Sequence, residues 1–454
     1  MTTRREFLAG GSAVLIGAAV ADRALAAPEI ISRADSATQA PHWLANGQRY
    51  QPVVTPNGWT LPPRLRDGVM EYHLVAEKVK REFAPGMTVN CWGYNGSTPG
   101  PTLEAVEGDR VRIYVTNRLP EHTSIHWHGI RLPNGMDGVG GLTQPHIEPG
   151  QTFVYEFVLK RSGTFMYHPH SDDMVQVAMG MMGLFIVHPK NPKERPVDRD
   201  FAFLLHNWDV EAGTATPKAS TMTEFNLWSF NSRVFPGTDP LVVRKGDRVR
   251  IRIGNLSMHD HPIHLHGFDM QVTGTDGGWV PKSAQFPEIT VNVPVGAMRA
   301  FEFVADEPGD WALHCHKMHH AMGPMGHQVP NMLGVPHDDI ARKIGKLVDG
   351  YMAMGEHGMA EMQAMQMELP ENTLPMMAGD GPFGPLEMGG MFTVLKVREG
   401  QAHDDYRDPG WFKHPQGTVA WEWGCDAPSA ERQSGPAADE HTLKARKPTG
   451  HESH

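Results

Sequence analysis

Short runs of alternating apolar and polar residues recur along this chain, separated by turns rich in glycine, proline and aspartate. In Val106-Glu-Gly108-Asp109-Arg-Val-Arg-Ile a turn leads into alternation with a period of two, the pattern of a strand with one face buried. Val243-Arg-Lys-Gly246-Asp247-Arg-Val-Arg-Ile repeats it. Tyr155-Glu-Phe-Val has its counterpart in Phe301-Glu-Phe-Val, and Gly183-Leu-Phe-Ile-Val in Gly390-Met-Phe-Thr-Val. The matching segments keep the same order, so the pattern predicts a duplicated β domain. Short strands between Gly and Pro turns predict an all-β fold of Greek-key sandwiches.

The expected organisation is a first sandwich over residues 67–190 and a second over 200–398, joined near 189–199, where prolines and charges cluster. An extension at 28–66 precedes them and a tail at 399–454 follows. Only about ninety positions separate His170 from His264, which leaves no room for a third sandwich of ordinary size. The 48 glycines and 37 prolines alone would also suit a disordered chain, but the regular spacing of apolar strands does not.

Two compositional facts narrow the function. A net charge of -11 with few aromatics offers no basic stripe for nucleic acid. Residues 1–27 read as a twin-arginine export signal: Arg4-Arg5-Glu-Phe-Leu, an apolar run over 14–21, then Ala24-Leu25-Ala26. The expected location is periplasmic, an oxidising space in which Cys91 and Cys425 either pair or stand as independent thiols.

The chemistry lies in histidine pairs. His314-Cys315-His316 places a thiolate between two imidazoles, with His320 five residues beyond the cysteine and Met325 ten. Sulfur, imidazoles and a weak thioether form the ligand set of a blue-copper site. On a strand, His314 and His316 share one side while Cys315 faces the other, so one strand can join two metal sites. The same alternation pairs His264 with His266 and His126 with His128, and His168-Pro169-His170 supplies another pair. Eight imidazoles exceed what one tetrahedral zinc takes and suffice for a copper cluster.

The repeat includes these motifs. Thr123-Ser-Ile-His126-Trp-His128-Gly aligns with His261-Pro-Ile-His264-Leu-His266-Gly, and Gly163-Thr-Phe-Met-Tyr-His168-Pro169-His170 with Gly309-Asp-Trp-Ala-Leu-His314-Cys315-His316. In the first copy Thr123 stands where His261 stands, Pro169 where Cys315 stands and Met174 where His320 stands. Only the second copy is therefore expected to carry a blue site.

With four paired motifs in this order, the chain resembles the multicopper oxidases over roughly residues 67 to 398. The resemblance implies two cupredoxin-like Greek-key β-sandwich domains and copper as cofactor: one type 1, one type 2 and two type 3 ions per active site. It assigns His126 and His264 to the type 2 copper, and His128, His168, His170, His266, His314 and His316 to the type 3 pair. His261, Cys315 and His320 would hold the type 1 copper, His261 or His320 offering reductants an exposed edge. Met325 is the expected axial ligand, with Met388 the rival because it sits just ahead of the last strand. Asp137 occupies the place of an acid that the family keeps near the cluster, a candidate proton donor, although Asp-Gly also makes an ordinary turn.

The two-domain length looks like the smaller members of the family, which implies a homotrimer with its cluster between chains. An insert over about 336–388 departs from the laccase pattern. It contains Met352, Met354, Met359, Met362, Met365, Met367, Met376 and Met377, with spacing over 338–367 that suits one or two helices. Thioethers there either pack a core or bind Cu(I). The implied reaction is one-electron oxidation of Cu(I) or a phenol coupled to reduction of O2 to water. Two alternatives stay open: a non-catalytic periplasmic copper-binding protein and a copper nitrite reductase-like enzyme.

Overall fold

The computed structural model describes residues 50–223, 225–322, 370–374 and 379–424, with short pieces at 29–30, 331–332, 342–344, 346–347 and 352–353. The export signal, Met325, Cys425 and most of the methionine-rich insert lie outside the described residues. Among the described residues no helix is long and apolar enough to cross a membrane.

Two β-sandwiches are built on one plan. In the first, Val69–Ala84 runs parallel to Arg110–Asn117, which pairs antiparallel with Thr152–Val158. In the second, Arg199–Trp208, Arg248–Asn255 and Met298–Val304 repeat that arrangement. The facing sheets match as well. Leu103–Val106 pairs with Gly183–His188, then Gly163–His168 and His126–His128. Its counterpart is Leu241–Arg244 with Phe392–Arg398, Gly309–Cys315 and His261–Leu265. Parallel and antiparallel contacts recur in the same order, as expected of a duplicated unit.

The first Arg-Val-Arg-Ile strand keeps the one-face-buried pattern, with Arg110 exposed and Arg112 half-buried between buried Val111 and Ile113, and the second departs from it. In the second sandwich Arg250 and Arg252 are buried alongside Val249, Ile251 and Ile253. The register explains this: Asp200, Arg250 and Glu302 lie side by side on three neighbouring strands. Arg250 donates from Nη1 to Asp200 at 3.0 Å and from Nε to Glu302 at 3.0 Å. The first sandwich has the same triad in Glu71, Arg112 and Glu156, at 2.8 and 2.6 Å. Buried guanidiniums are tolerable when paired in this way.

The sandwiches also share packing. Arg252 donates to Asp200 and, across the junction, to Thr164 Oγ1 at 3.0 Å. Trp279 lies under Arg195, Arg250 and Arg252 and donates from its indole to Ser162 Oγ at 3.1 Å. Val54, in the segment before the first sandwich, bridges to Phe201 in the second. The first core, built around Trp127, Tyr155 and Phe185, extends to Trp208 and Met298 of the second sandwich. After the last strand the chain folds back over the second sandwich, where Tyr406 meets Phe201 and Lys396 pairs with Asp408.

Candidate metal centre

The strand Gly309–Cys315 brings the two kinds of site together. On one face the Cys315 sulfur lies 3.5 Å from His261 Nδ1 and 3.5 Å from His320 Nδ1. The two nitrogens are 3.1 Å apart, and all three residues are buried. His261 comes from the neighbouring strand His261–Leu265, whose Ile263 pairs with Cys315. His320 comes from the short turn Met318–Ala321 that follows. Ser257 Oγ, 2.7 Å from His261 Nε2, fixes the ring. When Nε2–H donates to that hydroxyl, Nδ1 keeps its lone pair toward the sulfur. Two imidazole lone pairs and a sulfur converging in a dry pocket are the geometry of a soft-metal site.

On the opposite face His314 and His316 stack beside His264 and His266. The ring centroids of His264 lie 5.6 Å from His314 and 5.3 Å from His316, and His266 Nε2 is 3.1 Å from His314 Nε2. Carbonyls orient the rings: Ile289 O lies 2.6 Å from His264 Nδ1, and Cys315 O 2.9 Å from His314 Nδ1. Both take up Nδ1, so that Nε2 is the atom a metal would bind, His314 Nε2 lying beside His266 Nε2.

The first sandwich presents a matching half. His128 Nδ1 and His168 Nε2 are 3.2 Å apart, His126 lies 5.4 Å from His168 by ring centroid, and His170 is 5.7 Å from His126. His126 Nδ1 faces Asp137 O at 2.9 Å, and His168 Nδ1 faces Pro169 O at 2.9 Å. The Asp137 carboxylate is 3.6 Å from His126 Nδ1 and partly exposed. Among the described residues, every ring-to-ring contact among these eight histidines stays within its own sandwich, and His128 also meets the Gly296 backbone of the second sandwich. His170, His266 and His316 are exposed. The chain therefore holds two open half-sites.

Burial sets the protonation of both sites. It holds the His261 and His168 imidazoles far below their ordinary range, at about 3. Burial, reinforced by His261, lowers His320 as well. Neutral imidazoles are the metal-binding form. Burial pushes the Cys315 thiol up to about 12, so metal binding there must release its proton.

Several features differ from the sequence expectation or escape it. His320 is 1% exposed and His261 0%, so neither offers an edge to solvent. Trp228 lies nearly flat on His320, which accounts for part of that cover. In the first sandwich the place of the blue site is filled by Gln176, whose Oε1 accepts from Thr123 Oγ1 at 2.7 Å. Met174 is instead 54% exposed. Met388 packs by Phe235, Phe392 and Val394, a cluster apart from the core that contains Cys315. Met391 ties the two buried ligands together: its N–H donates to His320 O and its carbonyl accepts from Cys315 N–H. Cys91 is buried and has no disulfide partner among the described residues, outside which Cys425 lies.

Family models described as multicopper oxidase match residues 75–192 and 211–333, together just over half of the chain. Copper resistance protein A of Escherichia coli is 28% identical over 340 residues, covering 63% of this chain and 55% of that protein. Laccase-1 of Cryptococcus neoformans var. grubii is 32% identical over 273 residues, 51% of this chain and 43% of that protein. The chain thus spans about half the length of these curated relatives. The crystal structure of blue copper oxidase from Nitrosomonas europaea superposes with a TM-score of 0.54 at 27% identity, covering 72% of this chain and 85% of that one.

The fold is a pair of cupredoxin sandwiches carrying copper-type donor sets. The chain belongs to the multicopper oxidase family, and copper is the cofactor that its histidines and Cys315 fit.

Proposed function

We propose that this protein is a multicopper oxidase that takes electrons one at a time from Cu(I) or a phenol and passes them to O2. One observation carries the reading: a single strand holds Cys315 in a buried two-imidazole pocket on one face and His314 on a histidine half-cluster on the other. Bound copper would supply one-electron chemistry at the type 1 site and four-electron reduction of dioxygen to water at a trinuclear cluster. The chain's own part is to hold His261, Cys315 and His320 in a dry pocket, and to link the sites through the two peptide bonds flanking Cys315. Asp137, partly exposed and 3.6 Å from His126 Nδ1, would deliver protons. Met325 is the proposed axial ligand. The packing of Met388 in a separate cluster supports that choice.

The two open half-sites support assembly as a homotrimer in which the first sandwich of one chain faces the second of the next, so that His126, His128, His168 and His170 complete the set of His264, His266, His314 and His316. The Arg4-Arg5 signal supports export to the periplasm. Likeness to a copper resistance protein favours Cu(I) as reductant and likeness to a laccase favours a phenol. Oxygen uptake by the copper-loaded protein with Cu(I) and with a phenol, side by side, separates the two. Uptake with neither reductant would leave a copper-binding protein without oxidase activity.

A further inference from the structure

Burial of both type 1 imidazoles raises the question of how an electron reaches them. Trp228, on the strand Leu227–Phe230, is itself 1% exposed. Its ring lies 4.6 Å from His320 by centroid at an interplanar angle of 18°, a stacked contact. His319 meets the same indole edge-on at 5.3 Å and 89°, and meets His320 at 4.3 Å and 71°. Unlike its two neighbours in this group, His319 is exposed. The three rings make a continuous aromatic path from solvent to the Cys315 pocket, beginning on a residue that is not a proposed ligand. His259, half-buried and nearly parallel to His320 at 5.5 Å and 20°, lies at that ring too.

We infer that reductants deliver electrons to the type 1 site at exposed His319, with Trp228 coupling that surface to His320. This rests on His320 as a type 1 ligand. Both residues act through His320 and are positioning residues: neither is oxidised, and neither binds copper. The step is a single electron leaving the donor and converting type 1 Cu(II) to Cu(I), and no bond or proton moves when the donor is ferrocyanide. A stacked, desolvated ring pair is rigid and needs little rearrangement, which suits such a transfer. The covered pocket also excludes any reductant that would have to touch a ligand directly.

The test is anaerobic stopped-flow reduction of the copper-loaded protein by ferrocyanide, followed at the blue band, with the type 1 potential titrated on the same samples. Trp228→Leu is expected to keep the band and slow reduction at equal driving force, by less than His319→Leu because His319 also meets His320 directly, with Trp228→Phe in between. His319→Leu alters an exposed position and is expected to slow reduction with band and potential unchanged, so it decides the matter even if Trp228→Leu fails to fold. Rates indistinguishable from the parent in His319→Leu and in any folded Trp228→Leu would overturn the inference while leaving the type 1 assignment standing. A parent that takes up copper without a blue band would overturn that assignment and the inference with it.

Discussion

Cys315 is the residue on which most depends, because its sulfur is the thiol that the described residues bring into the buried pocket and its backbone is the shortest link to His314 and His316. Replacing it with serine removes the sulfur and little volume. Cys315→Ser should abolish the intense visible band and the oxidase turnover while the histidine half-sites keep their copper, checked by absorption and metal analysis. A surviving blue band would contradict the assignment. The motif residues were legible because alternation on a strand separates His314 from Cys315 without any knowledge of tertiary structure. The environment was not. Nothing local to His320 shows that Trp228, distant in sequence, covers it, and no motif marks Gln176, which reaches Thr123 only because the short helix Asp173–Ala178 turns it inward.

At the level of elements, the repeat in the sequence corresponds to a repeat of sheet register, down to the Glu71-Arg112-Glu156 and Asp200-Arg250-Glu302 triads. The signal for them was present, since Arg-Val-Arg and the Glu of Glu-Phe-Val recur in both halves. Alternation alone reads such arginines as a solvent face, and only the packing of Trp279 and the neighbouring sandwich buries the second set. Burial pushes the Asp200 carboxyl up, but Arg252 and Arg250 outweigh it and hold the group below the usual range. Asp200→Ala would leave two buried guanidiniums short of their partner, a loss of about 3–5 kcal/mol. Chemical denaturation should report a fall of that order, larger than for a change at the exposed pair Lys245–Glu399, where about 0–1 kcal/mol is at stake.

For the whole molecule, buried neutral imidazoles make the metal-free protein acid-sensitive. His206 is held at about 4 by burial, and His168 and His261 at about 3. Each has a folded value below its unfolded one, so its contribution is fully present above about pH 6.5 and is lost as pH falls toward the folded values. The melting temperature of the metal-free protein should therefore drop steadily below about pH 6.5, and a flat profile from there to about pH 4 would show that these rings are not buried as described. The homotrimer proposed from the family resemblance leads to an expectation in solution: sedimentation at about three times the chain mass, with type 3 copper lost on dissociation. A fully active monomer would require both half-sites of one chain to meet. The central claim is that electrons collected singly at Cys315 are spent together on dioxygen, and it is tested most directly by counting them. Copper-loaded protein supplied with a one-electron reductant should consume roughly one O2 for every four equivalents oxidised, with no peroxide released, as reduction to water at a copper cluster requires. Release of peroxide at roughly two equivalents per O2, or copper binding with no oxygen consumed at all, would contradict it.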